Sequence, residues 1–398
     1  MQWPDGFMWG TGASSNQAEG AAPASNWWDW ERAGKAPVSG DGNGFATRYA
    51  EDFATLAALG LDHHRLSIEW ARVEPEEGVH DEAMVAHYRA ILQAALDAGV
   101  EPWVTLHHFT LPRWFAEAGG FTTDENRTTH WARHVDWVAD TFGDLVRGWK
   151  PVNEVNFYPV AAYAGLNIPP GLGDPELAVV VSEQLHLAAA EAAVRLKQTG
   201  APVSSIFALM HLEALDDKPE TLAELSKLDD VHWQPGVGLQ RDGVLRIRGR
   251  EPIERPDLAG AYDLYGFSYY ASFAVRDGAM TLFPEEDGPS SPIGYKIWAD
   301  GLDRILRRLH ELLPGQPILI AEYGVGTPDD ALRAAYLERG LAITHEALAD
   351  GIDIRGFFHW TAVDNYEWIH GYDVEFGIID RDRNIRPSAQ VLKREARQ

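Results

Sequence analysis

No cysteine occurs anywhere in the 398 residues. Disulfides, zinc–thiolate sites and a cysteine nucleophile are therefore excluded. The absence also fits a reducing compartment, and a cytoplasmic location is expected. Basic residues are scarce: 34 Lys and Arg stand against 60 Asp and Glu, a formal net charge of -26. Nucleic acids and anionic membranes are bound through basic patches, so neither is an expected partner. No run of 18 apolar residues is present, and no membrane-spanning helix is expected. The opening stretch, MQWPDGFMWG, has neither a basic n-region nor an apolar h-region, so no secretory signal is expected.

What remains is the composition of a folded chain with a large core, 45% hydrophobic and 24% charged. Fifteen tryptophans are many. Core packing accounts for part of them. Indole rings also stack on the apolar faces of sugars and bring one N–H donor, so the count leans toward carbohydrate.

Strand-like and helix-like segments alternate along the chain. Eight short apolar runs read as strands: Phe7–Ala13, His64–Glu69, Glu101–His107, Gly148–Asn153, Val203–Leu209, Leu264–Tyr269, Pro317–Ala321 and Ile354–Trp360. Amphipathic patterns lie between them, as at Phe45–Leu59, where Phe45, Tyr49, Phe53 and Leu56 share one face. Glu82–Ala98, Thr128–Phe142, Pro175–Thr199, Trp298–Leu313 and Asp330–Asp350 read the same way. Alternation of this kind predicts a parallel sheet, and eight repeats predict an α/β fold closed as a single (β/α)8 TIM barrel over 1–398. An open doubly wound sheet would show a Gly-rich phosphate loop after its first strand, and none follows Gly12. Residues 210–262 and 271–296 break the rhythm and read as loop insertions, with turns at Gln234-Pro235-Gly236 and Arg241-Asp242-Gly243 in the first.

In such barrels the chemistry sits at the C-terminal ends of the strands. Two strand ends carry a glutamate: Glu154 in GWKPVNEVNFY and Glu322 in QPILIAEYG. The other ends add Gln17 and Glu19, His107 and His108, Asn153, Tyr269 and Tyr270, and Trp360, with Arg65 inside the second strand. Two carboxylates across a sugar-sized pocket are the apparatus of glycoside hydrolysis. One must be protonated to serve the leaving oxygen, and the other ionised to attack the anomeric carbon. Arg65 and Tyr270 are the candidates for holding the nucleophile ionised.

The sequence resembles glycoside hydrolase family 1, the family of β-glucosidases and β-galactosidases. The resemblance runs through FMWGTGASSNQAEG, HHRLSIEWARVEP, TLHHFTLPRWF, KPVNEVNFY, GFSYYAS, IAEYG and WTAVDNYEWIHGYDVEFGIID, in the family's order and over nearly the whole chain. It implies that Glu154 is the acid/base and Glu322 the nucleophile. It implies that Tyr270 and Arg65 orient the nucleophile. Gln17, His108, Asn153, Glu367 and Trp368 match positions that hold sugar hydroxyls, and Trp360 matches the platform under the ring. Members acting on 6-phosphosugars avoid a carboxylate at the position of Glu367, so an unphosphorylated sugar is implied. The activity implied is a cofactor-free retaining β-glycosidase acting on a small-molecule glycoside. The alternative is a transglycosylating or catalytically weak sugar-binding barrel of the same family. The oligomeric state is left open.

The chain departs from the family pattern at Val155, Tyr323, Ser268, Thr110 and Tyr295-Lys296, which bears on the leaving-group side more than on the carboxylates. The pairs His63-His64 and His107-His108 raise the question of a metal. Barrel metallohydrolases use His-x-His at the end of the first strand, which has no histidine here, so no metal is expected. Packing is the expected job of His63, His64 and His107, and of Trp27, Trp28 and Trp30. The acidic run Glu74–Glu77 reads as a solvated loop. Asp364-Asn365 read as shaping the eighth loop.

Overall fold

The computed structural model describes residues 3–397. Met1, Gln2 and Gln398, the ends of the expected 1–398 span and part of the stretch read for a signal, lie outside the described residues. Eight parallel strands form the centre: β1 (Met8–Gly12), β2 (His63–Ser67), β3 (Glu101–His107), β4 (Gly148–Val152), β5 (Phe207–Ala208), β6 (Tyr265–Tyr269), β7 (Ile318–Tyr323) and β8 (Ile354–Trp360). They pair in the order β4-β3-β2-β1-β8-β7-β6-β5. The ring closes between its two ends. Trp149 N–H donates to the Pro202 carbonyl at 2.9 Å, and Ser204 N–H donates to the Trp149 carbonyl at 2.8 Å. The sheet is therefore a (β/α)8 barrel, as the alternation predicts.

Strand alternation sets the interior. Glycines on the inner face make room for large rings. A Cβ on Gly148 would stand 2.3 Å from the Trp103 ring, and one on Gly12 would stand 2.9 Å from Trp360. Trp103 and Phe358 meet edge to face at 5.9 Å, with the His63 ring 6.0 Å from Phe358. These rings fill the lower barrel. Outside, the helix Phe45–Leu59 buries Phe45, Phe53 and Leu56 on the predicted face. Asp81, Asp174 and Asp329 each accept two backbone N–H bonds at the start of a helix, each cap worth about 1 kcal/mol. The helix Pro175–Leu196, extended by Lys197–Thr199, is long and apolar enough by composition to cross a membrane, yet 67% of its most apolar 18-residue window is buried inside the fold. The Trp131 indole donates to its Ala188 carbonyl, and His186 stacks on Phe207 of β5.

Several readings need correction. The fifth strand is regular only over Phe207–Ala208, because Val203 and Ser204 make single bridges to both neighbours instead of a continuous ladder. The segment 210–262 is no mere loop: it holds the helices Pro219–His232 and Gln234–Asp242. Gly236, read as a turn, is a packing position, since a Cβ there would lie 2.7 Å from Phe207 of β5. Residues 271–296 form a hairpin, Ser272–Arg276 with Ala279–Phe283, which pairs with His211–Ala214. Glu74 is not solvated. It is fully buried and accepts from the Trp70 indole at 2.7 Å, Gly78 N–H at 2.7 Å and Arg133 at 2.5 Å.

One interior residue has no structural counterpart to its charge. Lys150 projects into the barrel, fully buried, with its Nζ 4.0 Å from the Phe358 ring centre and no hydrogen-bond partner among the described residues. Burial, and then the charge of Arg65, hold its pKa well below the ordinary value, with Glu322 opposing and His64 also nearby. The unfolded chain then binds the proton more readily than the folded one, so this residue costs stability at any pH below about 10.4, increasingly as pH falls and in full below its lowered pKa. Lys150→Met is expected to stabilise the protein at pH 7 by about 1–3 kcal/mol. The gain should shrink as pH rises toward 10. Urea melts of both forms at pH 7 and pH 10 check it; an equal or larger gain at pH 10 would contradict the assignment.

Candidate active site

The C-terminal mouth of the barrel holds a cavity of about 710 Å³. Nine of the ten residues given a catalytic or sugar-binding role from the sequence line it: Gln17, His108, Asn153, Glu154, Tyr270, Glu322, Trp360, Glu367 and Trp368. The tenth, Arg65, is fully buried and does not line the cavity. Glu19, His107 and Tyr269 are also absent from the lining. Glu19 accepts from the Tyr88 hydroxyl, and burial raises its pKa to about 7 against the opposing charge of Arg72. His107 packs edge-on against Tyr158, as expected for a core ring. Tyr269 donates to the Trp298 carbonyl.

Glu322 reaches the cavity through an irregularity in β7. Leu319 and Ala321 point into the barrel with Phe358 and Trp103, while Ile320 belongs to the outer core. Plain alternation would therefore send residue 322 outward. The register slips between Ile320 and Glu322 against β6, and between Ile320 and Tyr323 against β8. Such a bulge re-aims a side chain. Tyr323 takes the outward place, stacked on Tyr336 and donating to its carbonyl at 2.9 Å. The strand thus runs through Glu322, two residues beyond the predicted end. Glu154 follows β4 with φ 48, a left-handed conformation uncommon for a residue with a side chain. Phe109 and Trp368, which also line the cavity, share that conformation. Backbone strain of this kind concentrates at functional sites.

The environments of the two glutamates differ. Glu322 Oε2 accepts from the Tyr270 hydroxyl at 2.7 Å, and Oε1 accepts from Arg65 Nη1. Arg65 is itself fixed by Thr105 Oγ1 at 2.8 Å, Asn153 Oδ1 at 2.5 Å and His108 Nδ1 at 2.9 Å. Glu154 meets no cation. Its Oε1 accepts from Ser268 Oγ at 2.5 Å. Burial, and then the charge of Glu322, raise the Glu154 pKa to about 8. Glu154 therefore holds a proton at neutral pH while Glu322 accepts two hydrogen bonds.

Around them, Gln17 Nε2 donates to Glu367 Oε2 at 3.0 Å. Burial and the two other carboxyls raise the Glu367 pKa to about 8. Burial and Arg65 hold His108 well below the usual imidazole value. Its Nδ1 faces Arg65 Nη2 at 2.9 Å and its Nε2 faces Asn153 Nδ2 at 3.3 Å, so both ring nitrogens are engaged by the same network. Trp360 and Trp368 both lie nearly parallel to His108, at 5.8 and 6.0 Å. Trp27, from the helix Asn26–Arg32, supports Trp368 edge-on at 4.7 Å, the packing role expected of that tryptophan cluster.

Ser268 is the residue whose place the sequence left unassigned. It stands opposite Glu322 in the β6–β7 register, one step before the tyrosine pair. Thr110, a departure from the family pattern, donates to Glu69 at 2.9 Å, so a carboxylate stands beside it from another segment. Asp364 accepts from Gly377 N–H at 2.7 Å and from Arg386 at 2.9 Å, holding the eighth loop. Among the described residues, no lysine or arginine lines the cavity, and no group of three His, Asp or Glu side chains is placed to hold a metal ion.

A closed parallel barrel with two carboxyls in contrasting surroundings at its mouth defines a glycosidase of the barrel type. The model for glycosyl hydrolase family 1 matches residues 1–236 and 250–398, and the chain belongs to that family. It is a glycoside hydrolase. A bifunctional β-D-glucosidase/β-D-fucosidase from Bifidobacterium breve is 28% identical over 441 residues, covering 95% of this chain and 93% of that one. A β-galactosidase from Saccharolobus solfataricus is 27% identical, covering 98% and 94%. Among solved structures, a β-glycosidase from Pyrococcus horikoshii superposes with a TM-score of 0.88 at 28% identity, covering 100% and 95% of the two chains.

Proposed function

We propose that the chain acts as a single domain over 1–398, a retaining β-glycosidase that removes a terminal unphosphorylated hexose in the cytoplasm. Glu154 is its acid/base and Glu322 its nucleophile. The observation that carries this reading is the contrast between them: one carboxyl protonated, buried beside a second carboxylate and bonded to no cation, the other held by Arg65 and Tyr270. That is the division of labour a double displacement needs. Asn153, His108, Gln17, Glu367 and Trp368 hold the sugar hydroxyls, and Trp360 carries the ring face. The relatives' names cover glucosides, galactosides and fucosides, and the sugar comes from that set. Both carboxyls are in place, so a binding-only barrel is not favoured.

A panel of p-nitrophenyl β-glycosides tests this. Hydrolysis that persists in EDTA is expected. Sugar binding without turnover, or activity lost to EDTA and restored by a divalent ion, would overturn it.

A phosphorylated sugar would enter a cavity lined by three carboxyl groups and no cation among the described residues. Glu367→Ser is expected to weaken kcat/KM on the plain glycoside by about 1–3 kcal/mol, roughly 5- to 150-fold. A 6-phosphoglycoside that outperforms its plain counterpart in the unaltered enzyme would refute the sugar assignment.

A further inference from the structure

The cavity has two unlike halves. Its polar groups cluster around Glu154 and Glu322. The outer wall is built from four loops and is apolar: Phe157, Val160 and Leu166 after β4, Met210 after β5, Phe273 after β6 and Ile369 after β8. Its polar contributions are Asn167, Tyr295 and His370, with no carboxylate and no cation among the described residues. The apolar character continues onto the open rim. Val160 is 40% exposed, Leu166 66% and Ile369 37%. Leu172, beside the same loop, is 54% exposed. Exposed apolar side chains around the mouth of a binding cavity point to what the cavity receives. At about 710 Å³ the cavity is within the range that takes a drug-sized ligand, with space beyond a single hexose.

The leaving group must lie in this outer half, because the inner half takes the sugar. A second sugar there would bury hydroxyls against a wall with few partners, and unpaired polar groups are costly. An apolar group would bury its surface at no such cost. We infer that the enzyme's leaving group is an apolar alcohol, an alkyl or fused-ring aglycone long enough to cross the Leu166 rim, and that its substrates are amphiphilic glycosides rather than oligosaccharides. This rests on the β-glycosidase reading.

The test is kcat/KM for a series of alkyl β-glycosides from ethyl to octyl, below their micelle concentrations, beside the matching disaccharide and a p-nitrophenyl glycoside. Each added CH₂ should raise kcat/KM about 2- to 4-fold until the chain passes the rim. The disaccharide should fall well below octyl. Leu166→Ser should lower the octyl-to-ethyl ratio several-fold, read against an unchanged melting temperature. A flat series, a disaccharide above octyl, or an octyl-to-ethyl ratio that Leu166→Ser leaves alone would overturn the inference. If the p-nitrophenyl glycoside is hydrolysed in those cases, the β-glycosidase reading survives. If no glycoside of the panel is hydrolysed, that reading fails first.

Discussion

Glu322→Gly collapses hydrolysis, by a factor on the order of 10⁴–10⁶ as for loss of other covalent nucleophiles. The glycine cannot form a glycosyl-enzyme, and the Tyr270 hydroxyl and Arg65 lose the group they orient. The space left is lined by those two donors. A small anion such as azide or formate fits it and attacks the anomeric carbon from the vacated face. From a β-glycoside the product is then the α-azide. Proton NMR of the product reads the configuration, and a β-azide from this variant would reverse the assignment.

Glu154→Ala acts on the other half of the reaction. The proton donor is gone, so substrates with poor leaving groups lose about 10²–10⁴-fold. Activated aryl glycosides leave without protonation and still form the glycosyl-enzyme. Its breakdown slows, because the general base is also gone, and azide relieves the block from the open β-face to give a β-glycosyl azide. The pH profile carries a second sign. With a pKa near 8, Glu154 donates below that value, so kcat/KM for unactivated glycosides falls on the alkaline side. That limb belongs to the coupled carboxyls as a group. It should disappear for Glu154→Ala. Wild-type rates in either variant would dismiss the two-carboxylate mechanism.

Much of this was readable from residue patterns. The eight strands followed from short, mostly apolar runs and their spacing, because a strand buried on both faces carries few polar residues before it ends. Glu154 and Glu322 stood out for that reason. What escaped was set by contacts between distant segments. Nothing local to QPILIAEYG announces that β7 bulges and turns Glu322 inward; the slip is fixed by its neighbours β6 and β8. Gln234-Pro235-Gly236 has turn chemistry, yet the close approach of Phe207 and Tyr265 makes Gly236 a helix-packing residue. Glu74 looked solvated because its partners, Trp70 and Arg133, lie elsewhere on the chain or one helical turn back. Ser268 was visible as a departure, but its hydrogen bond to Glu154 spans 114 positions.

The assignment of Glu322 as the nucleophile can be read from a single covalent bond. A 2-deoxy-2-fluoro-β-glycoside with an activated leaving group slows both steps and lets the glycosyl-enzyme accumulate. Peptide mapping by mass spectrometry then locates the sugar. The label is expected on Glu322, in the peptide that contains Ile318–Tyr323. A label on Glu154 or on any other residue would contradict the mechanism.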